Sequence, residues 1–270
     1  MPELPEVETT LRGIKPYLIG HKITEVVVRN KNLRWPVPRK VSSLGGSKFN
    51  GIKRRGKYLI VDLDRGSLII HLGMSGSLRI VDQGTDYRKH DHVDFSLDSG
   101  KTLRFHDPRR FGCVLFCEGD PLGHKLLSHL GPEPLSENFS GQYLYDKSRG
   151  RKVSIKQFVM NSKLVVGVGN IYACEALFFA GINPRKSASR ISLPRYEKLV
   201  ESIRGVLNES IRLGGTTLRD FVNQDGEPGY FQQILMVYGR EGDPCKGCGN
   251  QIRRVDQSGR STFYCTKCQK

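Results

Sequence analysis

The first half of the chain alternates short apolar runs with turn-forming residues, a pattern typical of β-strands. The runs are rich in Val, Ile, Leu and Phe and are bounded by Gly, Asp or Arg. They predict strands over Ile23–Val28, Tyr58–Leu63, Ser67–Leu72, Ser77–Val81, Val93–Leu97, Thr102–Phe105 and Cys113–Cys117. Before them, apolar residues recur at helical spacing across Val7–Leu18. So many short strands predict a two-sheet sandwich with a flanking helix.

Helical periodicity replaces this pattern after the turn-forming segment Gly131–Pro134. Helices are predicted over Ile155–Met160, Asn170–Ala180 and Pro194–Leu213. The segment Gly214–Gly229, rich in Gly, Thr, Asp and Asn, is predicted to be a mobile loop. These shifts indicate an α+β protein: an N-terminal β-sandwich with flanking helices, a helical domain and a small C-terminal module. The predicted domain bounds are 1–131, 132–235 and 236–270.

The charge of the chain narrows the classes of function. Lys and Arg total 43 against 27 Asp and Glu in 270 residues, for a net charge of +16 and an isoelectric point near 9.7. This surplus favours nucleic acid over an anionic membrane surface, since no basic amphipathic helix or lipidation signal accompanies it. A basic protein without a special partner is the remaining alternative. No apolar run approaches the roughly 20 residues of a membrane span, and the acidic N-terminus does not indicate secretion.

The tail contains the strongest local signal, two Cys-x2-Cys pairs. They are Cys245 with Cys248 and Cys265 with Cys268, separated by residues 249–264. This spacing predicts a zinc finger, because two such turns supply the four thiolates of a tetrahedral Zn²⁺ site. Four thiolates close the site, so the single zinc is structural. Chance spacing or a redox dithiol is the alternative, and the other three cysteines are expected to be core thiols.

The N-terminus supports a chemical and a structural interpretation. Removal of Met1 leaves Pro2 with a secondary amine, and an α-amino pKa of about 8 makes it more nucleophilic at neutral pH than a lysine. Its attack on an aldehyde-like carbon gives an iminium that has no proton to lose and therefore accepts electrons. Glu3 and Glu6 offer a carboxyl group for acid–base chemistry. The alternative is that Pro5 and the acidic residues simply start a helix.

Three further motifs also have two interpretations each. Lys53–Lys57 predicts a basic turn before a strand, typical of a phosphate-binding edge; the alternative is a catalytic Lys57, whose amine a tight turn at Gly56 aims elsewhere. Asp107–Gly112 and Met74 offer a long cation, a ring and a thioether, which proteins insert between base steps. The alternative is that Met74 and Phe111 are core residues. Gly167–Asn170 opens a helix, where backbone N–H groups bind a phosphate or merely form a tight turn.

Together these motifs resemble the formamidopyrimidine-DNA glycosylase family of bacterial base-excision repair enzymes, over nearly the whole chain. The segments that carry the resemblance are Pro2–Thr9, Arg54–Leu59, His71–Gly76, Asp107–Gly112, Val166–Ala173 and Gly259–Gln269. The resemblance implies a β-sandwich, a helical domain with a helix–two-turn–helix and a zinc finger hairpin, with DNA held between two lobes. It further implies a monomer in the bacterial cytoplasm that acts on double-stranded DNA with oxidised purines or abasic sites.

The resemblance also implies the catalytic residues. Pro2 is the nucleophile that attacks C1′ of the damaged nucleotide, and Glu3 assists sugar-ring opening and proton transfer. Lys57 is a general acid in a hairpin turn. Arg260 grips the phosphates around the lesion and takes part in the last elimination. The implied activity is therefore that of a glycosylase that removes 8-oxoguanine and formamidopyrimidines and also nicks the strand by β,δ-elimination.

A second implied set of residues binds DNA. Met74, Arg109 and Phe111 fill the gap left by the flipped base, with Arg109 facing the orphaned cytosine. Contacts near the DNA are implied for His71, His90, Arg151, Lys156 and Asn170. The stretch Gly214–Tyr230 corresponds to a loop that closes over the everted base. Asn161 departs from the family, whose members usually carry an acidic residue there.

Two other functions remain as alternatives. The endonuclease VIII branch of these enzymes prefers oxidised pyrimidines. Leu4 and the complete set of Met74, Arg109 and Phe111 favour the purine branch instead. A non-catalytic protein that binds damaged DNA through its zinc finger is an alternative of another class. It differs from the enzyme in forming no covalent adduct with DNA.

Overall fold

A computed structural model gives the structure of residues 1–215 and 234–270. The chain divides into two compact units, one built on Met1–Ser128 and the other on His129–Arg212 together with residues 234–270. The predicted loop over Gly214–Gly229, and the stretch Gly214–Tyr230 implied to close over a base, lie almost wholly outside the described residues. Within the described ranges, no helix is long and apolar enough to cross a membrane.

The first unit is an antiparallel β-sandwich with helices beside it. Its helices are α1 (Leu4–Leu18) and α2 (Arg39–Ser42). Its strands are β1 (Ile23–Val28), β2 (Phe49–Arg55), β3 (Tyr58–Leu63), β4 (Gly66–His71), β5 (Ser77–Asp82), β6 (Asp91–Leu97), β7 (Lys101–His106) and β8 (Cys113–Cys117). They form two four-stranded sheets in the orders β1-β6-β7-β5 and β2-β3-β4-β8. The predicted sandwich is confirmed.

Apolar side chains from both sheets and from one face of α1 form the core of this unit. Ile14 and Leu18 are fully buried, as are Leu59 on β3 and Phe95 on β6, and all belong to one hydrophobic cluster. Burial of each such side chain contributes about 1.5–3 kcal/mol. Helix α1 is therefore fixed on the sandwich, and so is its first turn, which immediately follows Pro2.

The sequence pattern did not predict strand β2. Only Phe49 and Ile52 are buried along it, so it shows no regular alternation. Its last residues were expected in a basic turn over Lys53–Lys57; instead they pair with β3 up to Arg55 opposite Tyr58. The turn itself is short and contains Gly56 at a φ of 57°, in the region that favours glycine. Backbone pairing with β3 outweighs the polar composition of β2.

The second unit is helical and carries a β-hairpin. Its helices are α3 (Gly141–Ser148), α4 (Ile155–Val159), α5 (Asn170–Phe179) and α6 (Leu193–Arg212), and its strands are β9 (Ile252–Asp256) and β10 (Ser261–Cys265). Helix α5 is central, because every residue of Ile171–Phe178 is buried. The helical domain and the hairpin are confirmed, whereas α3 was not predicted. The domain bounds drawn from the sequence stay predictions.

A buried carboxylate ties the start of the tail to α5. Glu175 accepts the backbone N–H groups of Met236, Val237 and Tyr238 at 2.8, 3.0 and 2.8 Å. Cys174 and Phe178 on the same helix join a hydrophobic cluster with residues of the hairpin. The hairpin thus has little core of its own and depends on α5 for burial.

Candidate functional site

The first residues of the chain are held rigidly at the start of α1. Glu3 is its N-cap: the Glu3 N–H donates to the Glu6 carboxylate at 2.8 Å, and the Glu3 carboxylate accepts the Glu6 N–H. This reciprocal pair is a capping box, which satisfies two N–H groups that a helix start leaves without partners. Pro2, Glu3 and Glu6 are all buried. Pro5 and the acidic residues thus do start a helix, and the capping box gives Pro2 a defined position.

A cavity of about 510 Å³ opens beside this N-terminus within the first unit. The residues that line it are Met1, Arg34, His71, Gly73, Met74, Arg110 and Phe111. The structure therefore brings the neighbouring residues His71 and Met74, together with the distant Phe111, next to the residue that precedes Pro2. Arg34 and Arg110 were not selected from the sequence. Their charges make the cavity suitable for phosphate groups.

His71 lies at the end of β4 and is neutral at physiological pH. Burial, together with the neighbouring cations Lys57 and Arg34, lowers the pKa of His71 to about 4. Its Nδ1 atom accepts the N–H of Gly73 at 2.9 Å. The remaining ring nitrogen, Nε2, therefore carries the proton and is a hydrogen-bond donor. Tyr58, directly after Lys57, pairs with His71 on β4, so the hairpin turn lies near the cavity.

The loop after β4 and the loop after β7 are joined by a buried aspartate. Asp107 is fully buried and accepts the N–H of Gly112 at 2.7 Å and the hydroxyl of Ser75 at 3.2 Å. Gly73, at a φ of 68°, lies so close to the Gly112 backbone that a Cβ atom at Gly73 would collide with it. The two loops are therefore packed backbone against backbone.

These loops display three side chains at the surface. Met74 is 37% exposed and Phe111 is 43% exposed, so the alternative that they are core residues is wrong. The guanidinium of Arg109 lies 5.0 Å from the centre of the Phe111 ring. A thioether, a ring and a planar cation thus lie together on closely packed loops, as an intercalating wedge requires. We call Met74, Arg109 and Phe111 the wedge.

A second group of predicted residues lies around the hairpin of the second unit. Lys156 is 1% exposed, and its ammonium donates to the carbonyl of Ser261 at 3.1 Å and to Oγ1 of Thr262 at 2.6 Å. Asn170 Nδ2 donates to the same carbonyl at 3.0 Å. Both side chains therefore hold the hairpin beside Arg260. Direct contact of Lys156 or Asn170 with DNA stays a prediction.

The other predicted residues lie on loops. Arg260 is exposed in the turn of the hairpin and lines a cavity of about 200 Å³ with Lys156 and Gln157. Arg151 is exposed just before α4. His90 is partly buried, and its carbonyl accepts the N–H of Asp107 at 3.0 Å. Asn161 is exposed and accepts the backbone N–H of Lys163 at 3.0 Å.

The four tail cysteines converge on one point. Their sulfur atoms all lie within 4.8 Å of one another, with 3.9 Å between Cys245 and Cys268 and 3.5 Å between Cys248 and Cys265. Tetrahedral zinc with bonds of about 2.3 Å separates its sulfur ligands by about 3.8 Å, so the donor set fits this ion. Cys113 and Cys174 are buried core thiols as expected, whereas Cys117 is half-buried.

Family models match the chain along most of its length. The formamidopyrimidine-DNA glycosylase N-terminal domain matches residues 1–114, the H2TH domain matches residues 130–222, and the zinc finger found in FPG and IleRS matches residues 242–270. Relatives named formamidopyrimidine-DNA glycosylase align over 271 residues, which is 100% of both chains. The one from Alcanivorax borkumensis is 58% identical and the one from Syntrophotalea carbinolica is 56% identical.

Solved structures agree with these matches. MutM (FPG) from Thermus thermophilus has a TM-score of 0.89 at 38% identity, covering 99% of this chain and 98% of that one. A Lactococcus lactis FPG mutant bound to Fapy-dG containing DNA has a TM-score of 0.93 at 34% identity, with 100% of both chains covered. The tail is the zinc finger of such proteins, and its four cysteines hold one structural zinc ion. The chain therefore belongs to the formamidopyrimidine-DNA glycosylase family.

Proposed function

We propose that the protein is a base-excision repair enzyme, a DNA glycosylase and AP lyase that removes oxidised purines and nicks the strand by β,δ-elimination. The observation that carries the proposal is the position of Pro2 at a capped helix start, beside a cavity lined by Met1, His71, Met74 and Phe111. Related structures support the substrate: an FPG complex holds Fapy-dG containing DNA, and a MutM complex holds carbocyclic 8-oxo-G containing DNA.

Removal of Met1 creates the nucleophile. Met1 lines the cavity, so its loss enlarges this space and converts the amide nitrogen of Pro2 into a secondary amine. The amine attacks C1′ of the damaged nucleotide, and the glycosidic bond breaks with its electron pair on the base, which takes up a proton. Glu3, directly after Pro2, assists opening of the sugar ring, in which the C1′–O4′ bond breaks with its electron pair on O4′ and O4′ takes up the proton that the Pro2 nitrogen loses. The product is a cationic iminium that links the Pro2 nitrogen to C1′.

The iminium then drives strand scission. A proton leaves C2′, and the C3′–O bond breaks with its electrons on the departing phosphate. A second elimination breaks the C5′–O bond in the same way, and water releases the remaining sugar fragment from the nitrogen. Lys57 and Arg260 are assigned to proton transfer and to the flanking phosphates. The result is a one-nucleotide gap with phosphates at both ends.

The remaining surface residues recognise the DNA. Met74, Arg109 and Phe111 occupy the gap left by the extruded nucleotide, which lowers the cost of base flipping. The protonated Nε2 of His71 donates to a phosphate beside the cavity. Further contacts near the DNA are assigned to His90, Arg151, Lys156 and Asn170. The chromosome is the substrate, so we place the protein in the bacterial cytoplasm, acting as a monomer.

Borohydride trapping on abasic-site duplex DNA tests the nucleophile. The wild-type protein is expected to give a covalent adduct, and peptide mass spectrometry is expected to place it on Pro2. A chain with Pro2→Gly and an N-terminal extension is expected to give none. Pro38→Gly, the same change at a proline that does not line the cavity, is the control and keeps the adduct. Binding of DNA without any adduct would instead indicate a non-catalytic damage-binding protein.

A second experiment tests the class of lesion. Excision of 8-oxoguanine opposite cytosine is compared with excision of thymine glycol under single-turnover conditions. We expect the oxidised purine to be removed at least ten times faster, a difference of about 1.4 kcal/mol in activation free energy. A preference for the pyrimidine would place the protein with the endonuclease VIII-like enzymes.

A further inference from the structure

The loop between β5 and β6, residues 83–90, is a basic surface that the assignment of His90 alone does not explain. Tyr87, Arg88 and Lys89 are exposed in it, next to the partly buried His90. We call this segment the basic loop. Its backbone hydrogen bonds lead to residues outside the loop, with the Thr85 N–H donating to Asp82 and the Gln83 N–H to Gly100. Something other than secondary structure must therefore hold its shape.

Arg104 supplies much of that support. It is 4% exposed on β7, and its guanidinium binds the Asp94 carboxylate twice, from Nε at 3.0 Å and from Nη2 at 2.9 Å. The other donors reach the basic loop, with Nη2 donating to the Thr85 carbonyl at 3.0 Å and Nη1 to the Asp86 carbonyl at 2.9 Å. One buried side chain thus connects the sheet to two consecutive carbonyl groups of the loop.

Asp91 holds the other end of the basic loop. Its side chain is fully buried and accepts the backbone N–H of Arg88 at 2.8 Å, while its own N–H donates to the Arg88 carbonyl at 3.0 Å. The same carboxylate accepts from Arg79 at 2.8 Å and lies 3.6 Å from Arg104. The turn that carries Arg88, Lys89 and His90 is therefore anchored in the interior of the sandwich.

The basic loop is also connected to the wedge. The N–H of Asp107 donates to the carbonyl of His90, and His92 Nε2 lies 2.8 Å from the carbonyl of Asp107. Asp107 is the residue that joins the loops carrying Met74 and Phe111. Displacement of the basic loop would therefore also displace Asp107 and the two loops that carry Met74 and Phe111.

We propose that Arg104 is a positioning residue that holds the basic loop in the conformation in which Arg88, Lys89 and His90 bind DNA phosphates. The inference rests on the proposed function for its ligand, but it concerns duplex binding rather than the reaction at Pro2. Arginine is required because a guanidinium has five donors in a planar fork, whereas a lysine ammonium has three and cannot reach both the carboxylate and the two carbonyl groups.

The main test compares Arg104→Lys with Lys101→Gln. Lys101 lies on the same strand with its side chain 40% exposed, and Asp82 is its ion-pair partner at 2.6 Å. Affinity for an undamaged duplex is measured as a function of salt concentration. We expect Arg104→Lys to weaken binding by about tenfold, with a smaller salt slope, because each lost phosphate contact lowers the slope by about 0.9. Lys101→Gln is expected to change affinity less than twofold.

The loop cations are tested separately with Arg88→Gln combined with Lys89→Gln. We expect a salt slope smaller by about 1.8, the value for two phosphate contacts. The rate of borohydride trapping on a single-stranded abasic site, which requires no base extrusion, is expected to stay within twofold for Arg104→Lys at saturating protein, since positioning affects duplex binding rather than the reaction at Pro2. A wild-type slope in both Arg104→Lys and the loop variant would overturn the proposal.

Amide hydrogen exchange keeps the proposal testable if Arg104→Lys does not fold. In the wild-type protein, the Arg88 amide is expected to exchange at least ten times more slowly than an exposed peptide, despite its place in a surface loop. Exchange at the unprotected rate would overturn the inference. A failure of the borohydride experiment would refute the proposed function, whereas the duplex affinities and salt slopes decide the role of Arg104.

Discussion

Replacement of Asp107 tests whether the wedge depends on the buried frame beneath it. Asp107→Ala removes the acceptor of the Gly112 N–H and of the Ser75 hydroxyl. Asp107→Asn is the matched control, because its amide oxygen can still accept from Gly112 while its NH₂ group donates to the Ser75 oxygen. Neither change touches Met74 or Phe111, so an effect on the wedge must pass through the loops.

The expected magnitudes follow from the burial of this carboxylate. Asp107 is 0% exposed, so Ala leaves a buried N–H and a buried hydroxyl without their acceptor, at about 1–3 kcal/mol each. We expect a loss of about 3 kcal/mol in the free energy of unfolding of the first unit for Ala, and about 1 kcal/mol for Asn. If the loss for Ala is fully expressed in base extrusion, excision from duplex DNA slows by about a hundredfold.

Two substrates separate this effect from general damage to the enzyme. Single-turnover excision of 8-oxoguanine opposite cytosine requires extrusion of a stacked base, whereas borohydride trapping on a single-stranded abasic site does not. We expect Asp107→Ala to impair the first strongly and the second less than threefold, with urea unfolding as the measure of stability. Equal losses on both substrates, or wild-type excision by a destabilised Asp107→Ala protein, would refute the reasoning.

Three further predictions concern the zinc, a histidine and a glutamate. Chelation of the zinc is expected to abolish duplex binding before the β-sandwich unfolds, and unchanged affinity of the zinc-free protein would contradict this. Because the pKa of His71 is about 4 in the folded protein and about 6.5 in an unfolded chain, the unfolded state binds the extra proton between these values. Stability is therefore full above pH 6.5 and falls by up to about 3 kcal/mol towards pH 4; urea unfolding of His71→Asn should show a smaller fall. Glu175→Ala removes the acceptor of three backbone N–H groups and should cost about 3 kcal/mol or more, whereas a loss below about 1 kcal/mol in the same assay would show that water replaces the carboxylate.

Elements with a regular apolar pattern could be predicted from the sequence, and those without one could not. The bounds of β1, β3 and β8 agree with prediction because their residues are mostly apolar and β-branched or aromatic. Strand β2 could not be predicted because a polar strand is specified by the strand it pairs with. Helix α3 could not be predicted because only Gly141, Leu144 and Ser148 are buried along it. Pairing and packing partners that are distant in sequence decide such segments.

In the candidate site, too, residues with a local sequence signal could be predicted, whereas residues assembled by the fold could not. The zinc ligands were found because ligand spacing is local in sequence, and Pro2 because its chemistry depends on its place in the chain. Arg34 and Arg110 were missed, since a single arginine carries no pattern until the fold places it in the cavity. The network around Arg104 was missed for a related reason: the partners of Arg104 come from strand β6 and a loop, and the pairing of β6 with β7 brings Asp94 opposite Arg104.

The close approach of Gly73 and Gly112 means that these two backbone positions tolerate far less substitution than the side chains beside them. No larger residue fits at either glycine, so the platform admits almost no change. The side chains mounted on it project into solvent and impose no such restriction. We therefore expect a single exchange at Met74, Arg109 or Phe111 to change which base is preferred opposite a lesion, without rebuilding the structure that aims these side chains.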